Sequence, residues 1–356
     1  MNEEGAQFGI YLHVPFCSRR CDYCSFATWT DREHLIEQYL EACKTQVKKW
    51  SPKLPPITSI FIGGGTPNLV PATLLMDVVS DLPISTDVEF TVECNPDLVT
   101  SRQIETYLEA GVNRISLGVQ SMVPHVLESL GREHDPTNVQ RAVKEIRSAG
   151  ITNLSFDLIY GAQGESIEDW QMTLENAISL KPDHVSAYAL TVEPGTPLAA
   201  DSHRYPEDDD QADKYYEAER LLTRAGYANY EISNWSQIGK ASRHNFLYWS
   251  QGEYLGLGVA AHSHINQKRF WSVRTPERYI SAISEDSSVE AASEQLDADD
   301  WKLEGRQLAL RTHLGVPEEC IPEEVRYLME PAEIDGNLKL TVEGRLLANE
   351  VAVRLL

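Results

Sequence analysis

Three cysteines crowd into eight residues near the start of the chain, Cys17-Ser-Arg-Arg-Cys21-Asp-Tyr-Cys24, with C-x3-C-x2-C spacing. Thiolates this close together on a loop can each ligate one iron of a cubic 4Fe-4S cluster. Three of them leave the fourth iron without a protein ligand, so a small molecule can bind there through its own donor atoms. A structural zinc site needs four closed ligands, and no fourth Cys or His stands at zinc-finger spacing. The remaining cysteines are scattered. Cys43 falls on the apolar stripe of a helical pattern and Cys94 follows Glu93, so both read as packing residues. Cys320 is far downstream and takes no role.

The elements that must position this loop follow from periodicity. Short β-branched and aromatic runs at Ile10–Val14, Ile57–Ile62, Val88–Val92, Ile115–Val119, Leu154–Ile159 and His184–Leu190 read as strands. Helical patterns separate them. The first is expected to open at Thr30, with Glu33 completing a T-x-x-E capping box, and others run over about 72–81, 101–110, 137–149, 166–180 and 208–225. Six βα units in series imply a parallel sheet with right-handed crossovers, either a partial barrel or an open sheet. In such folds the working residues sit at the C-terminal ends of strands. Every unusual local sequence of this half falls there: the cysteine loop, Gly63-Gly64-Gly65-Thr66-Pro67, Glu93-Cys94-Asn95-Pro96, Gly118-Val119-Gln120-Ser121 and Asp157-Leu158-Ile159-Tyr160-Gly161. One ligand face is the economical explanation.

After about residue 230 the pattern changes, becoming dense in aromatic residues and His up to about 275. The stretch Ser281–Asp300 is polar and reads as a linker. The end of the chain carries helical runs near 301–313, 322–329 and 345–353, with a turn at Ile334–Asn337 leading to Leu338–Thr341. Helices plus a short hairpin resemble a winged-helix module. Charge argues against a DNA reader: the chain has 31 Lys+Arg and 54 Asp+Glu, a formal charge of −23. Phosphate backbones and anionic lipid surfaces repel such a protein. No apolar run reaches the roughly 20 residues that span a bilayer. The acidic start Met1–Gly5 lacks the features of a secretory signal, which sets the expectation of a cytoplasmic protein without a transmembrane segment.

Tyr11-Leu-His-Val-Pro-Phe-Cys17, the C-x3-C-x2-C spacing and Gly-Gly-Gly-Thr-Pro together resemble the radical S-adenosylmethionine (SAM) superfamily. Within it, the likeness is to the branch of oxygen-independent coproporphyrinogen III oxidases and HemW-type heme chaperones. It extends to Tyr230-Glu-Ile-Ser-Asn234 and His244-Asn-Phe-Leu-Tyr-Trp249. The resemblance implies an α/β fold: a partial (β/α)6 TIM-like radical SAM barrel with a small C-terminal winged-helix-like module. The expected divisions are the barrel at 1–235, an aromatic and His-rich connecting segment and linker at 236–290, and the module at 291–356. It also implies that Cys17, Cys21 and Cys24 hold a 4Fe-4S cluster whose open iron is chelated by SAM. Tyr11, Tyr23, Gly64, Gly65, Thr66, Glu93, Gln120, Arg132 and Asp157 would contact SAM. Taken singly, Glu93, Gln120 and Asp157 read equally well as capping or loop residues, and Arg132 as a surface ion pair. Their joint placement at strand ends beside the cysteine motif favours a site.

Two functions fit this framework. One is reductive cleavage of SAM to oxidise the propionates of coproporphyrinogen III. The other is a chaperone that binds heme and hands it to acceptor hemoproteins such as membrane cytochromes. The oxidases resemble C-x3-C-x2-C-x-C, and Phe26 stands here where that extra Cys would fall. They also carry a longer segment before the motif, whereas Tyr11 lies close to the start. His244-Asn-x-x-Tyr248-Trp249 matches the H-N-x-x-Y-W signature of the chaperone group. The chaperone reading is therefore preferred, without coproporphyrinogen turnover. His244, Tyr248 and Trp249 are its heme candidates, since imidazole is a common axial ligand and aromatic rings pack on a porphyrin face. His244 reads equally as a core histidine, and His262 and His264 are comparable candidates. The sequence leaves a homodimer open.

Overall fold

The computed structural model describes residues 7–132 and 135–355, so the acidic start Met1–Gly5 lies outside the described residues. Six parallel strands form the body, paired in chain order: β1 (Phe8–Val14), β2 (Ile57–Gly64), β3 (Ile84–Cys94), β4 (Arg114–Gln120), β5 (Asn153–Tyr160) and β6 (His184–Ala189). Each of the expected strands is present within a few residues. They are covered on both faces, which is why they read as near-continuous apolar runs rather than alternating ones. The connecting helices are α1 (Ile36–Trp50), α2 (Ala72–Val79), α3 (Ser101–Glu109), α4 (Pro124–Ser129), α5 (Pro136–Ala149), α6 (Ile167–Ser179) and α7 (Asp208–Arg224). Their apolar stripes, such as Tyr39, Leu40, Cys43 and Val47 of α1, bury against the sheet in one core.

One capping expectation fails. A 3-10 turn at Glu33–Leu35 intervenes, so α1 starts at Ile36 without a side-chain cap and Thr30 is too far from it to serve. A genuine capping box closes α6 instead, between Ser166 and Asp169. Asp135 and Thr100 cap α5 and α3.

The connecting segment and linker expected at 236–300 are largely regular structure. A hairpin of β7 (Ala228–Glu231) and β8 (Asn234–Ser236) adds to β6, followed by α8 (Arg243–Trp249). The chain then crosses to the other side of the body. There β9 (Glu253–Leu257) pairs in parallel with β1, and β10 (His262–Ile265) and β11 (Lys268–Ser272) follow antiparallel. After α9 (Pro276–Ser284), β12 (Glu290–Gln295) forms the edge where a linker was expected. All six of its residues are exposed, so its sequence lacks the apolar signal of a strand. The full order is β12-β11-β10-β9-β1-β2-β3-β4-β5-β6-β8-β7.

The rest of the chain builds a second, smaller core. It holds α10 (Ala298–Ala309), a small sheet of β13 (Val316–Pro317), β14 (Met329–Pro331) and β15 (Asn337–Leu340), then α11 (Val342–Leu346) and α12 (Ala348–Ala352). Leu310, Val316, Val325, Leu328 and Val351 pack together there. The helix expected at 345–353 is broken at Leu347 into these last two pieces. The unit docks on the β7 side, where Arg345 pairs with Glu219 and Ile232 donates its backbone N–H to Arg311.

Tyr39 ties three elements together. Its hydroxyl donates to the His13 carbonyl at 2.7 Å and accepts from the Val259 N–H at 3.0 Å, all in the core. Tyr39→Phe leaves both backbone groups buried and unpaired. A loss of about 1–3 kcal/mol is expected in denaturant unfolding; an unchanged midpoint and slope would contradict this account.

Candidate functional site

The site lies at the C-terminal end of the parallel strands. Past Val14 the chain continues into the cysteine loop, and backbone bonds prolong the β1–β2 pairing beyond the strand ends. Gly65 N–H donates to the Val14 carbonyl at 2.8 Å and Thr66 N–H to Phe16 at 2.8 Å. Trp29 closes the loop, with its N–H on Pro15 at 2.8 Å and its carbonyl accepting from Cys17 at 3.0 Å. Gly65 must be glycine, because a Cβ there would stand 2.9 Å from Cys17 Sγ and 2.7 Å from the Phe16 carbonyl oxygen. Gly64 has φ +114°, a conformation side-chain-bearing residues rarely adopt.

Cys17, Cys21 and Cys24 are free thiols. They face a cavity of about 290 Å3. The Thr66 hydroxyl donates to Cys17 Sγ at 3.6 Å, and Arg132 reaches Cys21 Sγ with one guanidinium nitrogen at 3.6 Å. Burial pushes the Cys17 thiol up to about 11, and the Thr66 hydroxyl acts against that shift. Among the described residues no group of three His, Cys, Asp or Glu could hold a single metal ion.

Eight of the nine SAM-contact residues expected from the sequence belong to the cavity wall. Tyr23, Gly64, Gly65, Thr66, Glu93, Gln120, Arg132 and Asp157 all line it with the cysteines. Asp157 stands between two hydroxyl donors, Ser116 and Ser186, each at 2.9 Å. Glu93 accepts from the Gly64 N–H at 3.1 Å. Gln120 has φ +61°, where β4 slips register against β5, and such strained non-glycine backbone clusters at functional sites. Arg132 also donates to the Gly118 carbonyl at 2.8 Å.

Sequence reasoning missed Arg114. It is the first residue of β4, 2% exposed, yet lines the cavity with the carboxylates. A lone Arg ahead of an apolar run gives no motif to find. The same holds for His184, whose ring is held by the hydroxyls of Ser155 at 2.8 Å and Tyr230 at 2.7 Å. Among the described residues, three buried polar atoms of the cavity wall have no hydrogen-bond partner: Arg114 Nε, Arg132 Nε and Thr28 Oγ1. Buried unpaired donors beside two carboxylates suit a ligand with carboxylate, amino and hydroxyl groups, which is the donor set of SAM. Three loop thiols without a fourth Cys suit a cluster that keeps one iron open.

Two expectations land elsewhere. Tyr11 does not line this cavity; its hydroxyl bonds His13 Nδ1 at 2.9 Å, and its ring lines a neighbouring one. The H-N-x-x-Y-W stretch, which forms α8, is divided. His244 is buried with Nδ1 on the Ser59 hydroxyl at 2.9 Å and Nε2 on the Tyr248 hydroxyl at 2.8 Å. Burial lowers its pKa to about 3, and both nitrogens are hydrogen-bonded within the protein. Asn245 lines the first cavity, Tyr248 the second, and Trp249 neither.

A parallel βα body with a three-cysteine loop at its strand ends is the architecture of a radical SAM protein. The family model for the radical SAM superfamily matches residues 11–177. The coproporphyrinogen III oxidase HemN of Escherichia coli shares the fold, with a TM-score of 0.84 over 98% of this chain and 90% of that one at 22% identity. The chain is 38% identical to the heme chaperone HemW of Mycobacterium tuberculosis, covering 99% of this chain and 95% of the relative. It is 31% identical to HemW of Bacillus subtilis over 96% of this chain and 97% of the relative. This chain belongs to the HemW family of radical SAM proteins.

Burial, and secondly the Asp157 charge, push the Glu93 carboxyl from 4.5 up to about 8. A carboxyl whose folded-state pKa is raised stabilises the fold while protonated in both states, below 4.5, and loses that contribution as pH rises through 8. Glu93→Gln removes the titration. The thermal midpoint of the variant is therefore expected to gain on that of the native chain between pH 5 and pH 8.5. A gap that stays constant across that window would refute the shift.

Proposed function

We propose that this protein is a heme chaperone. It binds a 4Fe-4S cluster, SAM and heme, and transfers heme to acceptor hemoproteins, membrane cytochromes among them. The observation that carries the reading is near-full-length identity to proteins named heme chaperone HemW, joined to a cysteine loop that faces a cavity with unpaired donors.

In this reading Cys17, Cys21 and Cys24 hold the cluster, which when bound supplies one-electron chemistry and an open iron. The chain's own residues do the rest. Thr66 donates toward Cys17 and favours its thiolate form, and Arg132 donates toward Cys21 Sγ. The unpaired nitrogens of Arg114 and Arg132 are placed to receive the SAM carboxylate, and Glu93 and Asp157 to accept from its amino and hydroxyl groups. Gly64 and Gly65 let the backbone approach the ligand closely. The Phe26 side chain stands at the cavity wall, so the loop offers no fourth thiolate there. Among the described residues no helix is long and apolar enough to cross a membrane. Thiolate ligands persist in a reducing compartment, which supports a cytoplasmic location.

Anaerobic reconstitution is expected to give near four irons per chain, and Cys21→Ser to lose most of them. Iron retained in full by that variant would sink the ligand assignment. The native chain is further expected to bind heme in a spectroscopic titration. Incubated anaerobically with SAM, a reductant and coproporphyrinogen III, it is expected to form no protoporphyrinogen. Turnover in that assay would make it an oxidase instead.

A further inference from the structure

The connection from β6 to α7 runs over residues 190–207. Connections of this kind usually take about 2–6 residues, and one this long in a compact body calls for a function. None of its residues lines either cavity. It is nevertheless built. The Thr196 hydroxyl donates to the Glu193 carbonyl at 2.7 Å and accepts from the Ala199 N–H at 3.2 Å. Asp201 caps a 3-10 turn at Ser202–Arg204 by accepting from the His203 N–H at 3.2 Å. Leu190 and Leu198 pack with Val126, Leu130 and Ile159 in a small core of their own, and Tyr23 of the cysteine loop rests against it.

What this segment grips is the second half of the cysteine loop. The Cys17 half hangs on the main-chain bonds to Gly65, Thr66 and Trp29. The other half is held through Asp22, which stands between Cys21 and Tyr23. The Asp22 N–H donates to the Leu130 carbonyl at 3.3 Å, and the Asp22 carbonyl accepts from the Leu198 N–H at 3.0 Å. Its carboxylate meets Arg204. One guanidinium nitrogen, Nη2, donates both to that carboxylate at 2.8 Å and to the Ser129 carbonyl at 2.6 Å. On another side Gly131 lies so near that a Cβ there would stand 2.7 Å from the Asp22 carboxyl.

The second acceptor of Arg204 gives the pair its purpose. Ser129 ends α4, and three residues further on Arg132 donates to Cys21 Sγ at 3.6 Å. Arg204 therefore joins the residue after Cys21 to the turn that presents the donor to Cys21. An exposed ion pair contributes little. This one is largely withdrawn from water and shares its donor with a backbone carbonyl, so it fixes a position as well as neutralising a charge.

We infer that the β6–α7 connection is a clamp on the second half of the cysteine loop, with Arg204 as the positioning residue that holds Cys21 and Arg132 in one geometry. The inference rests on reading Cys17, Cys21 and Cys24 as cluster ligands. The effect of Arg204 on a cluster passes through Asp22 and the α4 turn.

The test compares the full-length native chain with Arg204→Gln and Arg204→Lys after anaerobic reconstitution. Amide hydrogen exchange, read by mass spectrometry, is expected to quicken in Arg204→Gln over peptides covering 20–24 and 195–200 and to stay native over β1 and α1. Challenged with bathophenanthroline disulfonate, that variant is expected to release iron about tenfold faster than the native chain, as the loss of one charge-assisted anchor implies. The electron paramagnetic resonance spectrum of its reduced cluster is expected to shift, because the spectrum reports the ligand geometry around the irons. Arg204→Lys keeps a cation for Asp22 and is expected to bring spectrum and release rate back toward native. If the native chain takes up iron and Arg204→Gln matches it in spectrum and release rate, whatever its exchange, Arg204 is structural only and this inference falls alone. Exchange quickened equally over β1 and α1 would overturn it too, since the whole chain would then be loosened. If the native chain takes up no iron, the cluster reading itself falls.

Discussion

The cysteine loop is held by backbone hydrogen bonds that continue sheet pairing where the sheet itself has ended. Val14 and Phe16 carbonyls accept from Gly65 and Thr66, and Pro15 and Cys17 are tied to Trp29. Because these bonds come from the main chain, the position of the loop's Cys17 half does not depend on any one side chain. It also forces glycine at position 65, where the two segments approach so closely that Cys17 Sγ takes the space of a Cβ. The side-chain contacts to sulfur, from Thr66 and Arg132, are secondary to that scaffold. Displace the β1–β2 register by one residue and the thiols no longer face the strand ends at all.

Charge is distributed against the average of the molecule. The chain carries −23 overall. Yet the two cavities concentrate guanidinium groups: Arg114 and Arg132 around one, Arg274 and Arg278 around the other. The first pair sits beside Glu93 and Asp157, so that cavity offers both signs within a small volume and suits a zwitterionic ligand. The second pair stands without carboxylates in its lining and suits a dianion. An acidic surface also discourages nonspecific association with phosphate-rich surfaces, so the local fields rather than the global one decide what enters.

Much of the body was legible because parallel strands announce themselves as apolar runs followed by glycine-rich or charged turns. The ligand face was legible for the same reason, since strand ends collect the residues that do not fit a core. What escaped had physical causes. The expected cap at Thr30 lost to a 3-10 turn that satisfies the first backbone groups locally. The strand at Glu290–Gln295 has no buried face, so periodicity carries no trace of it. Arg114 opens β4, at the end of the strand opposite to the expected ligand face, and only the fold reveals that it lines a cavity. The H-N-x-x-Y-W stretch gave no sign of how its side chains would be divided. A helix seven residues long, Arg243–Trp249, necessarily aims its residues in several directions, so one went to the core and two to different cavities.

The edge position of β12 has a consequence for the walls of the second cavity. That strand contributes Ala291 to the lining, pairs only with β11, and does so across an irregular register at Trp271 and Ser272. The opposite wall includes Tyr11 of β1, a strand bonded on both sides in the middle of the sheet. Detaching an edge strand breaks one ladder and exposes little apolar surface, whereas displacing β1 dismantles the body. The cavity is thus asymmetric: one wall belongs to a strand held along both edges and the other to a strand held along one. Its glutamates also discourage a second chain from pairing along that free edge.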